Sequence, residues 1–351
     1  MHKLLSTVVL LTLLLLDGMN MRHALAETDF NCSNVTEIPQ TECEDLVAVH
    51  NATGGANWTN NTDWLVTYTP CSWYGVTCEE GHVRGLGLEN NQLTGTIPSE
   101  LGNLTSLGYL YLYNNKLSSA IPSALGNLTS LQDLELEDNL LSGAIPSELG
   151  NLTSLQYILL SNNLLSGAIP SELGNLTSLQ YIWLQGNQLT GEIPASLTNL
   201  SNILYLDIGY NALYANDETL ITFLNSKDSD WESTQTVASE NVTAVSITDN
   251  SILVQWTPVT YTTDPGSYIV YYSRTPGGPY TLFGTAGDKS SSQMKVTGLQ
   301  SDTAYYFVVK TLTYAHPYNQ NTVYSDYSEE MAAVTSPFPW ELFYPAITGK
   351  R

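Results

Sequence analysis

Catalysis needs a nucleophile, a base and a group to orient it, or paired carboxylates in a cleft. Past residue 26 the chain holds three histidines, His50, His82 and His316, in three unrelated contexts, and none sits in a catalytic motif. Gly-x-Ser-x-Gly, His-Glu-x-x-His and a phosphate loop are all missing, and Gly85-Leu-Gly87 merely flanks a leucine. No catalytic residue, cofactor or metal site is assigned. The chemistry on offer is recognition. Stepping two, four and six positions from Val83 and then every 24 residues gives three rows. The first reads Gly85, Tyr109, Asp133, Tyr157, Tyr181 and Tyr205; the second Gly87, Tyr111, Glu135, Leu159, Trp183 and Asp207; the third Glu89, Tyr113, Glu137, Ser161, Gln185 and Gly209. Tyrosine and tryptophan beside clustered carboxylates make a surface that stacks on sugar rings or buries a peptide's side chains. The candidate ligand-binding residues are therefore Tyr109, Tyr111, Tyr113, Asp133, Glu135, Glu137, Tyr157, Tyr181, Trp183, Tyr205 and Asp207. Aromatics that simply suit strands and line a solvated sheet are the plainer alternative.

Those rows need a framework that repeats. Pro-Ser-Glu-Leu-Gly-Asn-Leu-Thr-Ser recurs almost verbatim from Pro98, Pro146 and Pro170. Units starting at Val83, Leu107, Leu131, Leu155, Leu179 and Ile203 each carry apolar residues three, five and ten positions on, and asparagine at the eighth. In a solenoid the chain bends out of a strand at that point and leaves backbone N–H and C=O groups unpaired inside the coil. An amide side chain satisfies both kinds. Asn91, Asn115, Asn139, Asn163, Asn187 and Asn211 are thus expected to form a structural ladder. Strand alternation then turns the three variable rows outward, across a face roughly 25 Å wide at about 4.8 Å per strand. The Asn-Leu-Thr-Ser strings at Asn103, Asn127, Asn151 and Asn175 match glycosylation sequons, but they recur because the repeat recurs.

The ends bound the compartment. Met1-His-Lys3, an apolar run from Leu4 to Leu16 and Ala24-Leu-Ala26 read as a signal peptide cleaved after Ala26. No transmembrane segment is expected in the mature chain, and the protein is expected to be secreted or held at the cell surface. A net charge of −23 repels phosphate backbones and anionic headgroups, which argues against nucleic-acid or peripheral membrane partners. Four cysteines, Cys32, Cys43, Cys71 and Cys78, suit disulfides in an exported protein. Sequence leaves three pairings open; the compact stretch Cys71 to Cys78 favours that pair, with Cys32 and Cys43 left for each other. Zinc fits the six-residue gap poorly, and His50 and His82 lack ligand-like spacing.

Leu131-Gln-Asp-Leu-Glu-Leu-Glu-Asp-Asn-Leu-Leu-Ser-Gly-Ala-Ile-Pro146 resembles the plant-type leucine-rich repeat. The resemblance implies an α/β-type solenoid: one short parallel strand per unit on the concave face, then an extended or 3₁₀ return across the convex side. Ile-Pro pairs ending at Pro98, Pro122, Pro146, Pro170 and Pro194 fit that return. Ser119 stands where glycine is usual in the second unit. The sixth unit loses Gly-x-Ile-Pro, and Asp217 with Leu220, Ile221 and Leu224 predicts a capping helix there. Residues 27–82 resemble the cap that precedes such repeats, through Asn57-Trp58, Asp63-Trp64, Cys71-Ser-Trp73 and Gly75-Val-Thr-Cys78, with a helix expected from about Thr41 to Asn51.

Beyond residues 83–226, an acidic, serine-rich linker is expected over 227–238. From 239 to 335 short alternating runs predict an all-β sandwich, with strands at Ile252–Trp256, Tyr268–Tyr272, Tyr280–Phe283, Met294–Val296 and Tyr305–Val309. Gly298-Leu-Gln-Ser-Asp-Thr-Ala-Tyr305 resembles the fibronectin type III signature, which places Tyr305 at the tyrosine corner and Trp256 in the core. Residues 336–351 form an aromatic tail. A leader, cap, plant-type repeats and one fibronectin module resemble secreted bacterial proteins more than a plant receptor, which would continue into a membrane helix and kinase. The function expected is extracellular binding or adhesion, with a protein, peptide or glycan held on the concave face. Inhibition of a wall-degrading hydrolase and a purely structural surface role are the rivals.

Overall fold

The computed structural model describes residues 30–338. The expected leader, its cleavage after Ala26 and all but the first residues of the tail lie outside them. Seven strands pair in the order Val76–Glu79, His82–Gly87, Tyr109–Tyr111, Asp133–Glu135, Tyr157–Leu159, Tyr181–Trp183 and Tyr205–Asp207, the first antiparallel and the rest parallel. The register shifts once, between Thr77 and Cys78 in the antiparallel pair, and the parallel pairs have no slip: Tyr109, Asp133, Tyr157, Tyr181 and Tyr205 stand side by side. A second parallel sheet, from Thr94–Thr96 to Ala212–Tyr214, runs along the coil after the bend. Each of the first five returns carries a 3₁₀ turn, such as Ser147–Asn151 and Ser171–Asn175, entered through a proline whose fixed φ suits the extended approach. Leu134, Leu136, Leu141, Leu149 and their equivalents fill the interior at 0% or 1% exposure, so one continuous core runs from the cap through every coil.

The ladder asparagines bond backward to the preceding coil. Asn163 shows the pattern: its Oδ1 accepts the Leu141 N–H at 2.9 Å, and its Nδ2 donates to Leu136 O at 3.0 Å and Leu160 O at 3.2 Å. Asn115, Asn139, Asn187 and Asn211 make the corresponding bonds, and Asn91, with no coil before it, accepts the Asn60 N–H and donates to Asn60 O in the cap. The series does not stop at Asn211. Gln235, 2% exposed, accepts the Leu213 N–H at 2.9 Å and donates to Ile208 O at 3.0 Å and Trp231 O at 2.9 Å. The stretch expected as a linker is thus folded onto the last coil. Trp231 is buried there, and Asp228 accepts the Ile208 N–H at 3.1 Å.

Both ends of the core are covered. Helix α1 (Gln40–Ala52) and the linked rings of Trp58, Trp64 and Trp73 close the first coil, with centroids 5.0 Å and 4.8 Å apart along the series. Disulfides join Cys32 to Cys43 and Cys71 to Cys78. Helix α2 (Glu218–Lys227) closes the other end; Asp217 caps it by accepting the Leu220 N–H at 2.7 Å.

The C-terminal unit is a sandwich of antiparallel sheets. Glu240–Thr248, Ser251–Thr257 and Gln293–Thr297 form one; Thr281–Thr285, Gly266–Ser273, Ala304–Thr313, Val323–Tyr324 and Met331–Val334 form the other. Trp256, Tyr268 and Phe307 lie in its core, and the Tyr305 hydroxyl accepts the Gln300 N–H at 2.9 Å. This unit is bonded to the solenoid. The Thr236 N–H donates to Asn211 O at 2.7 Å, and the Thr236 and Thr313 hydroxyls meet at 2.7 Å. The loop 314–322 reaches further: Asn319 Nδ2 donates to Asn187 O and Tyr210 O, Asn321 Nδ2 to Asn163 O and Gly186 O, and Tyr318 stacks on Tyr210 at 5.2 Å.

Candidate ligand-binding face

The parallel strands carry the first two variable rows, and the third, from Glu89 to Gly209, lies two residues past the strand ends, in the bend. Because adjacent coils lie in register, rings one unit apart meet face to face: Tyr157 stacks on Tyr181 at 4.9 Å with 7° between planes. Trp183 meets Tyr205 edge-on at 6.4 Å. At the other end Tyr109 stacks on Tyr111 at 5.0 Å and lies across Gly85, where a Cβ would come within 1.9 Å of its ring. The Tyr109 hydroxyl donates to Thr77 Oγ1 at 2.6 Å, which ties this ring to the cap. Besides the buried glycines Gly85 and Gly209, two positions depart from an outward display: Leu159 is 7% exposed, on a strand between the longer residues Glu135 and Trp183, and Ser161, just past that strand, is 3% exposed.

The middle coils are acidic. Tyr111 donates to Asp133 Oδ2 at 3.0 Å, and the loss of water together with that carboxylate pushes its own ionisation up. Burial pushes the Glu137 carboxyl up to about 7, with Glu135 and Asp138 adding repulsion. Burial raises Glu135 too, helped by Asp133 and Glu89, and it raises Asp207 and Tyr205 at the far end. None of the eighteen positions in the three rows is lysine, arginine or histidine, so nothing on the face itself neutralises these groups.

Sequence reasoning did not find the loop 314–322, which walls the last coils, or Tyr210, which receives it. Nor did it find a shallow groove of about 480 Å³ beside the tyrosine row, lined by Ser154, Gln156, Ser178, Gln180, Asn202 and Leu204. The glutamines there were legible as a period. Gln180 Nε2 donates to Gln156 Oε1 at 3.2 Å. Among the described residues no group of His, Cys, Asp and Glu is arranged to hold a metal ion, and no helix is long and apolar enough to cross a membrane.

A family model described as "Leucine-rich repeat region" matches residues 77–256, about half of the chain. The chain belongs to the leucine-rich-repeat family. A "Fibronectin type III domain" model matches residues 237–323 of this leucine-rich-repeat protein, overlapping the first. Within that overlap, the strand Glu240–Thr248 opens just after Thr236, whose N–H donates to Asn211 O on the last coil. "Leucine-rich repeat protein 2" of Arabidopsis thaliana is 49% identical over 45 residues, 12% of this chain and 21% of that protein. The chain thus spans about a fifth of the length of the curated relative it matches. Similar solved structures include the PEPR1–AtPEP1 complex, with 31% identity over 50% of this chain and 25% of that one and a TM-score of 0.46. The ectodomain of the receptor kinase SOBIR1 from Arabidopsis thaliana has 29% identity, 51% and 98% coverage and a TM-score of 0.45. A plant ice-binding protein has 30% identity, 51% and 58% coverage and a TM-score of 0.47.

Proposed function

We propose that this leucine-rich-repeat protein is an extracellular binding module without catalytic activity, and that its concave face takes a segment of a protein or peptide partner. The observation that carries this reading is the contrast within the repeat. The return path repeats nearly verbatim, whereas the three outward rows vary from coil to coil and collect stacked Tyr157 and Tyr181, Trp183 and the carboxylates of the middle coils. A framework held in register by the amide ladder presents these groups with little ordering cost on binding. Both module types of which the chain is built serve typically as binding modules. The fibronectin module is fixed against the last coils, and Tyr318 lies within reach of the same partner.

The test is binding of residues 27–351 to a panel of extracellular proteins, peptides and glycans, beside a variant with Tyr157, Tyr181 and Trp183 changed to alanine. A protein or peptide partner that binds the native chain and is lost by a folded variant supports the proposal. A partner bound equally by both moves the site off this face. Inhibition of a wall-degrading hydrolase in the same panel selects that reading, and a polymer retained only as a glycan selects the carbohydrate one.

A further inference from the structure

The loop 314–322, which fixes the fibronectin module on the last coils, carries a buried histidine that the concave face does not use. His316 is 8% exposed and lies in the seam between the modules, its ring 5.5 Å from that of Tyr210 on the sixth coil and 6.3 Å from that of Tyr318. Its Nε2 stands 3.4 Å from Asp264 Oδ2, which also accepts the Tyr261 hydroxyl. Its Nδ1 is closed to solvent and has no hydrogen-bond partner among the described residues. Lys289, 4% exposed, completes the group, with its Nζ 4.8 Å from the centre of the Tyr261 ring. Asp264 and Lys289 are the charged groups that act on the His316 ring.

The backbone carries any movement of this ring to the clamp between the modules. The His316 N–H donates to Asn319 O at 2.8 Å, and the Asn319 N–H donates back to His316 O at 3.1 Å. Gln320 Nε2 donates to the same His316 carbonyl at 2.9 Å. Asn319 is the residue whose Nδ2 holds Asn187 O and Tyr210 O, and its Oδ1 accepts the Asn321 N–H at 2.9 Å. Both clamping amides therefore hang on the turn that His316 begins.

We propose that His316 is an acid-sensitive latch: a second proton on its ring unseats the loop 314–322 and frees the fibronectin module from the last coils. A neutral ring leaves only a lone pair unmatched at Nδ1. Protonation puts an N–H there with no acceptor, and sets two cations against one carboxylate in a site closed to water. Burial holds the ring's proton affinity below the ordinary histidine value; Asp264 opposes this and Lys289 adds to it. Burial also brings Lys289 down to about 8, so it is still charged when the ring titrates. Because the released loop binds the proton more tightly than the docked one, the open form gains as pH falls below the ordinary 6.5 and gains nothing above it. The latch concerns the seam alone and stands whatever the concave face binds.

The test is amide hydrogen exchange of the full chain at pH 7.5 and 5.0, corrected for the intrinsic effect of pH on exchange. Beside it, the His316 ring is titrated by proton NMR, its signal assigned by its loss in H316Q. In the native chain, protection of residues 206–213 and 314–322 should fall roughly tenfold at pH 5.0 while α1 and the first coils hold, and the ring should titrate below 6.5. In H316Q, whose amide is neutral at both values, the same segments should be equally protected at both. A native seam that is equally protected at the two pH values, a fall that persists in H316Q, or a ring that titrates at or above 6.5 each overturns the latch. If H316Q is already open at pH 7.5, the exchange and ring titration of the native chain decide by themselves.

Discussion

Changing Gln235 to alanine deletes the last rung of the amide ladder. It leaves the Leu213 N–H without its 2.9 Å acceptor and takes one of two donors from Ile208 O and Trp231 O, which keep Asn211 Nδ2 and Thr234 Oγ1, each at 3.1 Å. The site is 2% exposed, so water does not readily replace the lost partners. An orphaned buried N–H costs about 1–3 kcal/mol and each carbonyl less, since its second lone pair can still be met. Together the loss is about 3 kcal/mol. At roughly 2–4 °C per kcal/mol for a unit of this size, the solenoid transition should fall by about 6–12 °C in calorimetry. Asn187→Ala, at a fully buried rung with the same bonding pattern, should fall by a similar amount and serves as the internal standard. A Gln235→Ala variant within about 0.5 kcal/mol of the native chain, beside an Asn187→Ala that drops as stated, would show that residue 235 lies outside the cooperative solenoid.

Three further outcomes follow from the same physics. The Glu137 carboxyl goes from an ordinary 4.5 to about 7 on folding, so the native state holds its proton more tightly and stability is lost as pH rises through that window. Glu137→Gln should therefore gain about 1–2 kcal/mol over the native chain at pH 8, after screening at this half-open site is allowed for, and nothing at pH 4, read from urea midpoints at both values. Ser119 holds φ at 74° where Gly95, Gly143 and Gly167 hold 79–80°, so Ser119→Gly should raise stability by about 1 kcal/mol in the same assay. Asn319→Ala with Asn321→Ala removes the four bonds between the loop 314–322 and the solenoid; hydrogen exchange should then speed up around Tyr210, with α1 and the first coils unchanged.

The solenoid was legible because its cause repeats. Asparagine eight positions from each start, and leucine or isoleucine at three, five and ten, answer needs met anew in each coil. Tyr305 was legible for a similar reason, since the hydrogen bond that holds it reaches only to Gln300. Gln235 stands 24 residues past Asn211, but it arrives without the leucines that mark a unit and with glutamine in place of asparagine. The strand Glu240–Thr248 buries only Val242 and so carries almost no alternation to read. The union of the two modules joins residues 109 to 158 positions apart, through asparagines that look like any loop residue until the coil they touch is in place. On the face itself, residue types were readable, but the tie of Tyr109 to the cap and the burial of Leu159 depend on neighbours one coil away.

From Asn115 onward each ladder amide bonds to the coil before it and to its own, and the contacts of the loop 314–322 fall on the fourth to sixth coils. The cap, in turn, grips the first coil and its return, where Asn103 donates to Asp45. A duplicated 24-residue stretch inserted between the second and third coils would therefore disturb neither end, and would move the stacked Tyr157 and Tyr181 about 4.8 Å further from Tyr109. Copy number in this chain works as a ruler: the gene can change the spacing between two groups displayed on the face, one strand's width at a time, without redesigning either.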